Sequence, residues 1–153
     1  MAIIDADGQF DAQDLVKLLR YTDSFDVVVG YRQRRADPLA RRILGQMWTL
    51  IGRWLFNILI RDLNCGLKIF KRSLIEALEL RCQGPGINLE IMAQLVSSEI
   101  PIKEVPCLHF PRTKGTQSGG SLRVIQRALP ELLYVLLWKF RKRRSPFPER
   151  TTL

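Results

Sequence analysis

Residues 26–30, DVVVG, constrain the fold more than any other stretch of the chain. Three consecutive valines between an acid and a glycine leave no polar position for solvent. The segment therefore reads as a strand buried on both faces, the pattern of a parallel sheet with helices on either side. Residues 2–5 form a second short apolar strand, residues 6–11 are turn formers, and Leu15, Leu18 and Leu19 recur at helical spacing. Strand, helix, strand in this order is an α/β signature. With 153 residues the chain makes one domain, and 46% hydrophobic with 25% charged residues excludes wholesale disorder, collagen-like repeats and a multi-span membrane protein.

Residues 38–60 are helical in pattern but apolar nearly all round, with Arg53 interrupting two runs that each fall short of the ~20 residues a bilayer requires. This predicts a helix pair or a bent helix lying at a membrane surface, with an ordinary buried core helix as the alternative. After a turn at 62–64, residues 65–70 read as a strand or hairpin and 72–80 as a short helix, which CQGPG ends. Residues 87–98 read as a second amphipathic helix with Glu90 near its start, and 102–110 as a strand whose prolines suggest an edge. PRTKGTQSGGS reads as a flexible glycine-rich loop, and 122–140 as a last helix with Pro130 inside it, running into the basic KFRKRR.

The net charge of +9 is concentrated in two places: six arginines against one acid over residues 32–53, and six bases against one acid over 139–150. Two local anionic contacts, phosphate or anionic lipid, fit this better than a nucleic-acid track over the whole surface. Cys65, Cys82 and Cys107 are odd in number and never in a CxxC pair, and His109 is the only histidine. The pattern favours three core thiols in a reducing compartment over a zinc knuckle or a disulfide scaffold. The opening residues do not resemble a signal peptide, and a first strand that delivers acids with nothing before it to support them predicts a missing N-terminal segment.

Asp5, Asp7 and Gln9 concentrate hard oxygen donors after a strand, where α/β folds place their sites. One or two carboxylates suit Mg²⁺ or Mn²⁺, whose shells are completed by water and substrate phosphates. An EF-hand loop is excluded, because Phe10 and Val16 stand where glycine and glutamate are required. Two alternatives stay open: an aspartyl-phosphate-type phosphatase, and a plain Asx turn capping the helix that begins near Asp11.

IIDADGQF, DVVVGYRQRR, RDLNCGLKIFKR, INLEIM and EVPCLHFPRTKGTQSGGS, in this order and spacing, resemble family 2 glycosyltransferases, in particular the dolichol-phosphate mannosyltransferase-like branch. The resemblance covers residues 1–127. It implies a partial GT-A (Rossmann-like) domain over 1–121, followed by an amphipathic membrane-proximal helix at 122–144 and a tail at 145–153. It also implies that Asp5 and Asp7, with Gln9, hold Mg²⁺ or Mn²⁺ on the diphosphate of a nucleotide-sugar donor. Arg32, Arg112 and Lys114 would then meet phosphates, Ser118 would offer a hydroxyl and His109 would line the substrate site. Asp62 matches a family acid beside the reaction centre. Glu90 matches one that orients the acceptor, or acts as base if the acceptor is a hydroxyl. For Asp62 a turn-forming role is the alternative, for Glu90 a capping role and for His109 plain packing. The chain departs from the family in two ways: QSGGS lacks the usual lysine, and the segment that binds the nucleoside is absent.

The reading is an inverting glycosyltransferase fragment that moves a sugar from a nucleotide-diphosphate sugar to a polyprenyl phosphate, peripheral at the cytoplasmic face of an anionic membrane. A phosphatase, or a non-catalytic anion-binding remnant, is the alternative.

Overall fold

The computed structural model describes residues 1–112 and 121–141. The elements are β1 (Ala2–Ile3), α1 (Ala12–Leu19), β2 (Val27–Arg32), α2 (Leu39–Phe56), β3 (Lys68–Phe70), α3 (Arg72–Ala77), α4 (Ile87–Ser97), β4 (Ile102–Cys107) and α5 (Leu122–Arg141). They make a mixed α/β fold around one four-stranded sheet of order β1-β3-β2-β4. β3 runs antiparallel to both its neighbours, while β2 and β4 are parallel. A mixed sheet of this kind is consistent with the partial Rossmann-like domain expected. β4, which carries Pro106, is an edge strand, as its prolines predicted.

The valine run sits at the centre of the sheet for the reason its composition gave. Val27 and Val29 point into a core shared with Phe56, Leu89, Met92, Val135 and Trp138, while Val28 points to the opposite face with Leu18, Leu67 and Val105. All three valines are wholly buried, and burial of each contributes about 1.5–3 kcal/mol relative to exposure. Thus α1 covers one face and α2, α4 and α5 the other.

Several elements differ from their sequence reading. The apolar stretch 38–60 is a single 18-residue helix, not a pair. It stops because Asn57 takes the left-handed conformation (φ 57°), its N–H and that of Ile58 returning to the carbonyls of Arg53 and Gly52. Residues 57–60 after it belong to no helix or strand, with Ile58 and Ile60 in the core. α4 is buried nearly all round instead of being amphipathic, because α5 closes the face that would otherwise be wet. The polar Gln94 tolerates this by exchanging two hydrogen bonds with the backbone of Glu79. α5 itself packs on the core through Ala128, Val135 and Trp138. All three cysteines are free and buried, as expected.

α2 and α5 nevertheless leave apolar side chains outside. Leu39, Ile43, Met47, Leu50 and Trp54 on α2, and Ile125, Leu129, Leu133, Leu137 and Phe140 on α5, are exposed at helical spacing, Trp54 to 82%. Among the described residues no helix is long and apolar enough to cross a membrane.

Candidate functional site

Asp11 starts α1 by accepting the Gln13 N–H at 2.8 Å, so the acids before it lie in the loop between β1 and α1. Gly8 turns that loop at φ 75°. Asp7 Oδ1 accepts the Gln9 N–H at 3.1 Å, the Asx turn weighed for this stretch, and Asp7 Oδ2 accepts from Arg112 Nη2 at 2.7 Å. Gln9 is buried; its Nε2 donates to the Phe110 carbonyl at 3.1 Å and its Oε1 lies 3.5 Å from Arg112 Nη2. The Asp5 carboxylate lies over Gly66, where any Cβ would collide with it. Hard oxygens and a glycine that seats one of them suit a divalent ion with an incomplete protein shell. Arg112 now supplies the positive charge that Asp7 faces. No cluster of three or more His, Cys, Asp or Glu is found among the described residues.

A second cluster begins where β2 ends. Arg32 forks onto Asp62, with Nε to Oδ2 at 2.6 Å and Nη2 to Oδ1 at 2.8 Å. Asp37, the one acid of the arginine-rich stretch, has a fully buried side chain ringed by Arg32 (3.4 Å), Arg35 (2.9 Å) and Arg41 (3.4 Å). Burial opposes the charge on both carboxylates. The Arg35 hydrogen bonds and the charges of Arg41 and Arg32 outweigh it at Asp37, and Arg32 does so at Asp62, so both sit below the usual carboxylate range. Arg32 is likewise raised: Asp62 overcomes the cost of burial.

His109 is buried beside this cluster. Its Nδ1 accepts the Ala36 N–H at 3.2 Å and its ring meets Phe10 edge-on at 5.4 Å. Burial, then the Arg32 charge, lower its pKa, so the imidazole is held neutral. These contacts are those of a packed residue joining the arginine loop to the acidic one.

Glu90 faces backbone. Its carboxylate accepts the N–H groups of Arg81 and Cys82 at 2.8–3.1 Å, shaping the CQGPG turn from α4. Glu131 of α5 holds the other side of that turn through Gln83 N and Gly86 N. Lys114 and Ser118 lie outside the described residues.

Between α2, α5 and the turn at 84–88 opens a groove of about 570 Å³. Leu44, Trp48, Ala128 and Leu132 give it apolar walls, and Arg32, Arg35 and Arg41 bring the buried network to its lining. Arg41 Nη1 and Trp48 Nε1 are buried donors with no hydrogen-bond partner. Arg35, Asp37, Arg41 and Trp48 were not singled out from the sequence; the acid isolated among six arginines was the available signal. Lys68 was missed too. It is a lysine in a fully buried three-residue strand, and its Nζ donates to the Cys65 carbonyl and to Asn88 Oδ1 (3.0 Å).

No family model matches the chain. Among curated proteins, it is 26% identical to a dodecaprenyl-phosphate galacturonate synthase of Rhizobium johnstonii, over 96% of this chain and 44% of the relative. It is 24% identical to a polyprenol monophosphomannose synthase of Mycolicibacterium smegmatis, over 78% and 49%. It is 25% identical to an undecaprenyl-phosphate 4-deoxy-4-formamido-L-arabinose transferase of Pseudomonas paraeruginosa, over 80% and 35%. The chain thus spans less than half the length of each of these relatives. The resemblance carried by the sequence motifs has its counterpart here: over most of its length, at low identity, this chain is similar to curated polyprenyl-phosphate sugar transferases.

Proposed function

We propose that this chain is the acceptor-side part of a glycosyltransferase that moves a sugar from a nucleotide-diphosphate sugar to a polyprenyl phosphate, with inversion at the anomeric carbon. The observation that carries this reading is the groove between α2 and α5. It combines apolar walls with three arginines and two unpartnered buried donors. A ligand that satisfies such a site joins a hydrocarbon chain to an anionic head, and forked guanidinium contacts suit phosphate. An acceptor phosphate is already anionic at neutral pH, so it needs no general base to attack. Asp62 then acts by fixing Arg32 in its fork.

Asp5, Asp7 and Gln9 would hold Mg²⁺ or Mn²⁺, with Arg112 sharing Asp7 or moving to the donor diphosphate. Such an ion neutralises the charge that builds on the departing nucleotide diphosphate. The exposed apolar stripes of α2 and α5, flanked by exposed Arg42, Arg53, Arg123, Arg127 and Arg141, support a peripheral seat on the anionic inner face of a membrane.

Titration of the chain with a polyprenyl phosphate in detergent, followed by Trp fluorescence, tests the acceptor reading. Saturable binding is expected, at least tenfold weaker in Arg41→Ala and in the uncharged polyprenol. Equal response to the alcohol and the phosphate would sink it.

A further inference from the structure

We infer that Cys65 and Cys107 are a redox modification site, a thiol pair that hydroperoxide oxidation closes into a disulfide. The two are 42 residues apart, yet their Sγ atoms lie 3.6 Å from each other. One precedes β3 and the other ends β4, on opposite sides of β2. They meet because β2 has glycine at the crossing point: a Cβ on Gly30 would stand 3.0 Å from Cys65 Sγ and 3.2 Å from Cys107 Sγ, in the space the thiols use. Such contacts are tighter than a packed interior ordinarily accepts, so any side chain here would press the two sulfurs apart.

The pair is chemically uneven. The hydrogen bond from Cys107 holds the Cys65 thiol below its ordinary range, while that bond and burial push Cys107 up, so Cys65 is the thiol of the pair that ionises first. Cys82 has no such partner; burial and Glu90 push its thiol up to about 12. Both paired residues are buried, but a second groove of about 320 Å³ includes Cys107 in its lining, with Gln33 and Pro106, the side from which a small oxidant would approach the pair.

The reaction balances with one hydroperoxide. The thiolate of the pair attacks one peroxide oxygen and becomes a sulfenic acid as hydroxide, or the alkoxide of an organic peroxide, departs and takes a proton from solvent. The second sulfur then attacks it, expelling hydroxide, which takes up the remaining thiol proton as water. The sulfurs must approach from 3.6 Å to the ~2.05 Å of a disulfide. Cys65 N–H donates to the Asp62 carbonyl and the Cys107 carbonyl accepts from Gln33, beside Arg32. Closure therefore pulls on both partners of the Arg32–Asp62 fork. That regulatory consequence rests on the proposed acceptor reading; the disulfide itself does not.

The test treats the folded full chain with hydrogen peroxide, then counts thiols by alkylation and maps peptides by mass spectrometry. One free thiol, Cys82, is expected, with a Cys65–Cys107 peptide reversed by dithiothreitol. The bridge persists in Cys82→Ser, is lost in Cys107→Ser and forms at least tenfold more slowly in Gly30→Ala, each checked for folding by circular dichroism. Three intact thiols, a bridge to Cys82, or stepwise oxidation to sulfinic acid without a bridge overturns the pair. A bridge that forms but leaves polyprenyl-phosphate binding unchanged overturns the regulatory link.

Discussion

Two clusters of opposed charge lie within this small domain, and they are built differently. Around Asp5 and Asp7 the carboxylates stand in a loop, and one partly exposed arginine answers Asp7 at 2.7 Å. Around Asp37 and Asp62 three arginines are packed against two buried acids, with side chains between 0% and 23% exposed. The first cluster can exchange its arginine for another cation more readily, because Asp7 keeps 15% of its side chain in solvent and meets Arg112 through a single nitrogen instead of a fork. The second cannot be opened without stranding a buried charge. One is therefore suited to a ligand that comes and goes, the other to a preformed wall that a ligand meets.

The largest expected effect strikes that contrast directly. Asp62→Ala leaves the buried Arg32 with only its 3.4 Å contact to Asp37 and should lower unfolding free energy by about 3 kcal/mol. Asp7→Ala, which removes a single part-buried contact to Arg112, should lower it by less, about 1–2 kcal/mol. Urea denaturation of the two variants compares them, and equal losses would erase the distinction.

Next in size is the surface of α2 and α5. Trp54→Asp removes the most exposed apolar side chain of the stripe and should weaken flotation with anionic vesicles by about tenfold or more, with the urea midpoint hardly moved. Wild-type protein that fails to float would remove the membrane address altogether.

The loop acids should in turn govern divalent ions. Mn²⁺ affinity, followed by its paramagnetic relaxation, should fall about tenfold in Asp7→Asn, while Asp37→Asn, if folded, should leave it unchanged. The reverse result would exchange the roles given to the two clusters.

The smallest effect is a pH dependence through His109. Its folded pKa is depressed by burial and Arg32, against the opposing pull of Asp37 and Asp62. The unfolded chain therefore binds the proton more readily, and stability falls as pH drops below the ordinary histidine value of about 6.5, levelling off below the folded pKa. Thermal midpoints between pH 7.5 and 5.5 should show this decline, flattened in His109→Gln.

Local pattern carried much of the fold. A run of valines can only be a strand covered on both faces, and Val27, Val28 and Val29 divide between the two cores as that requires. The Asp11 cap, the edge position of β4 and the buried free thiols were legible for similar local reasons. In the site, the position of the acids after β1 and of Arg32 at the end of β2 could be read from the chain. That Asp37 organises three arginines could not, since a lone acid in a basic stretch looks the same whether solvated or buried. Glu90 shows the same limit: its place on α4 was clear, but only the packed turn reveals that backbone amides occupy its carboxylate.

What the sequence determined by itself was whatever depends on neighbours along the chain: element types, caps, charge clusters and the order of motifs. Tertiary structure decided what depends on approach between distant segments. The Asp7–Arg112 pair spans 105 residues, the Arg32–Asp62 fork 30, and the Cys65–Cys107 contact 42. Burial, which sets the strength of each charge and the fate of each thiol, is a property of the assembled layers and of no single stretch of chain.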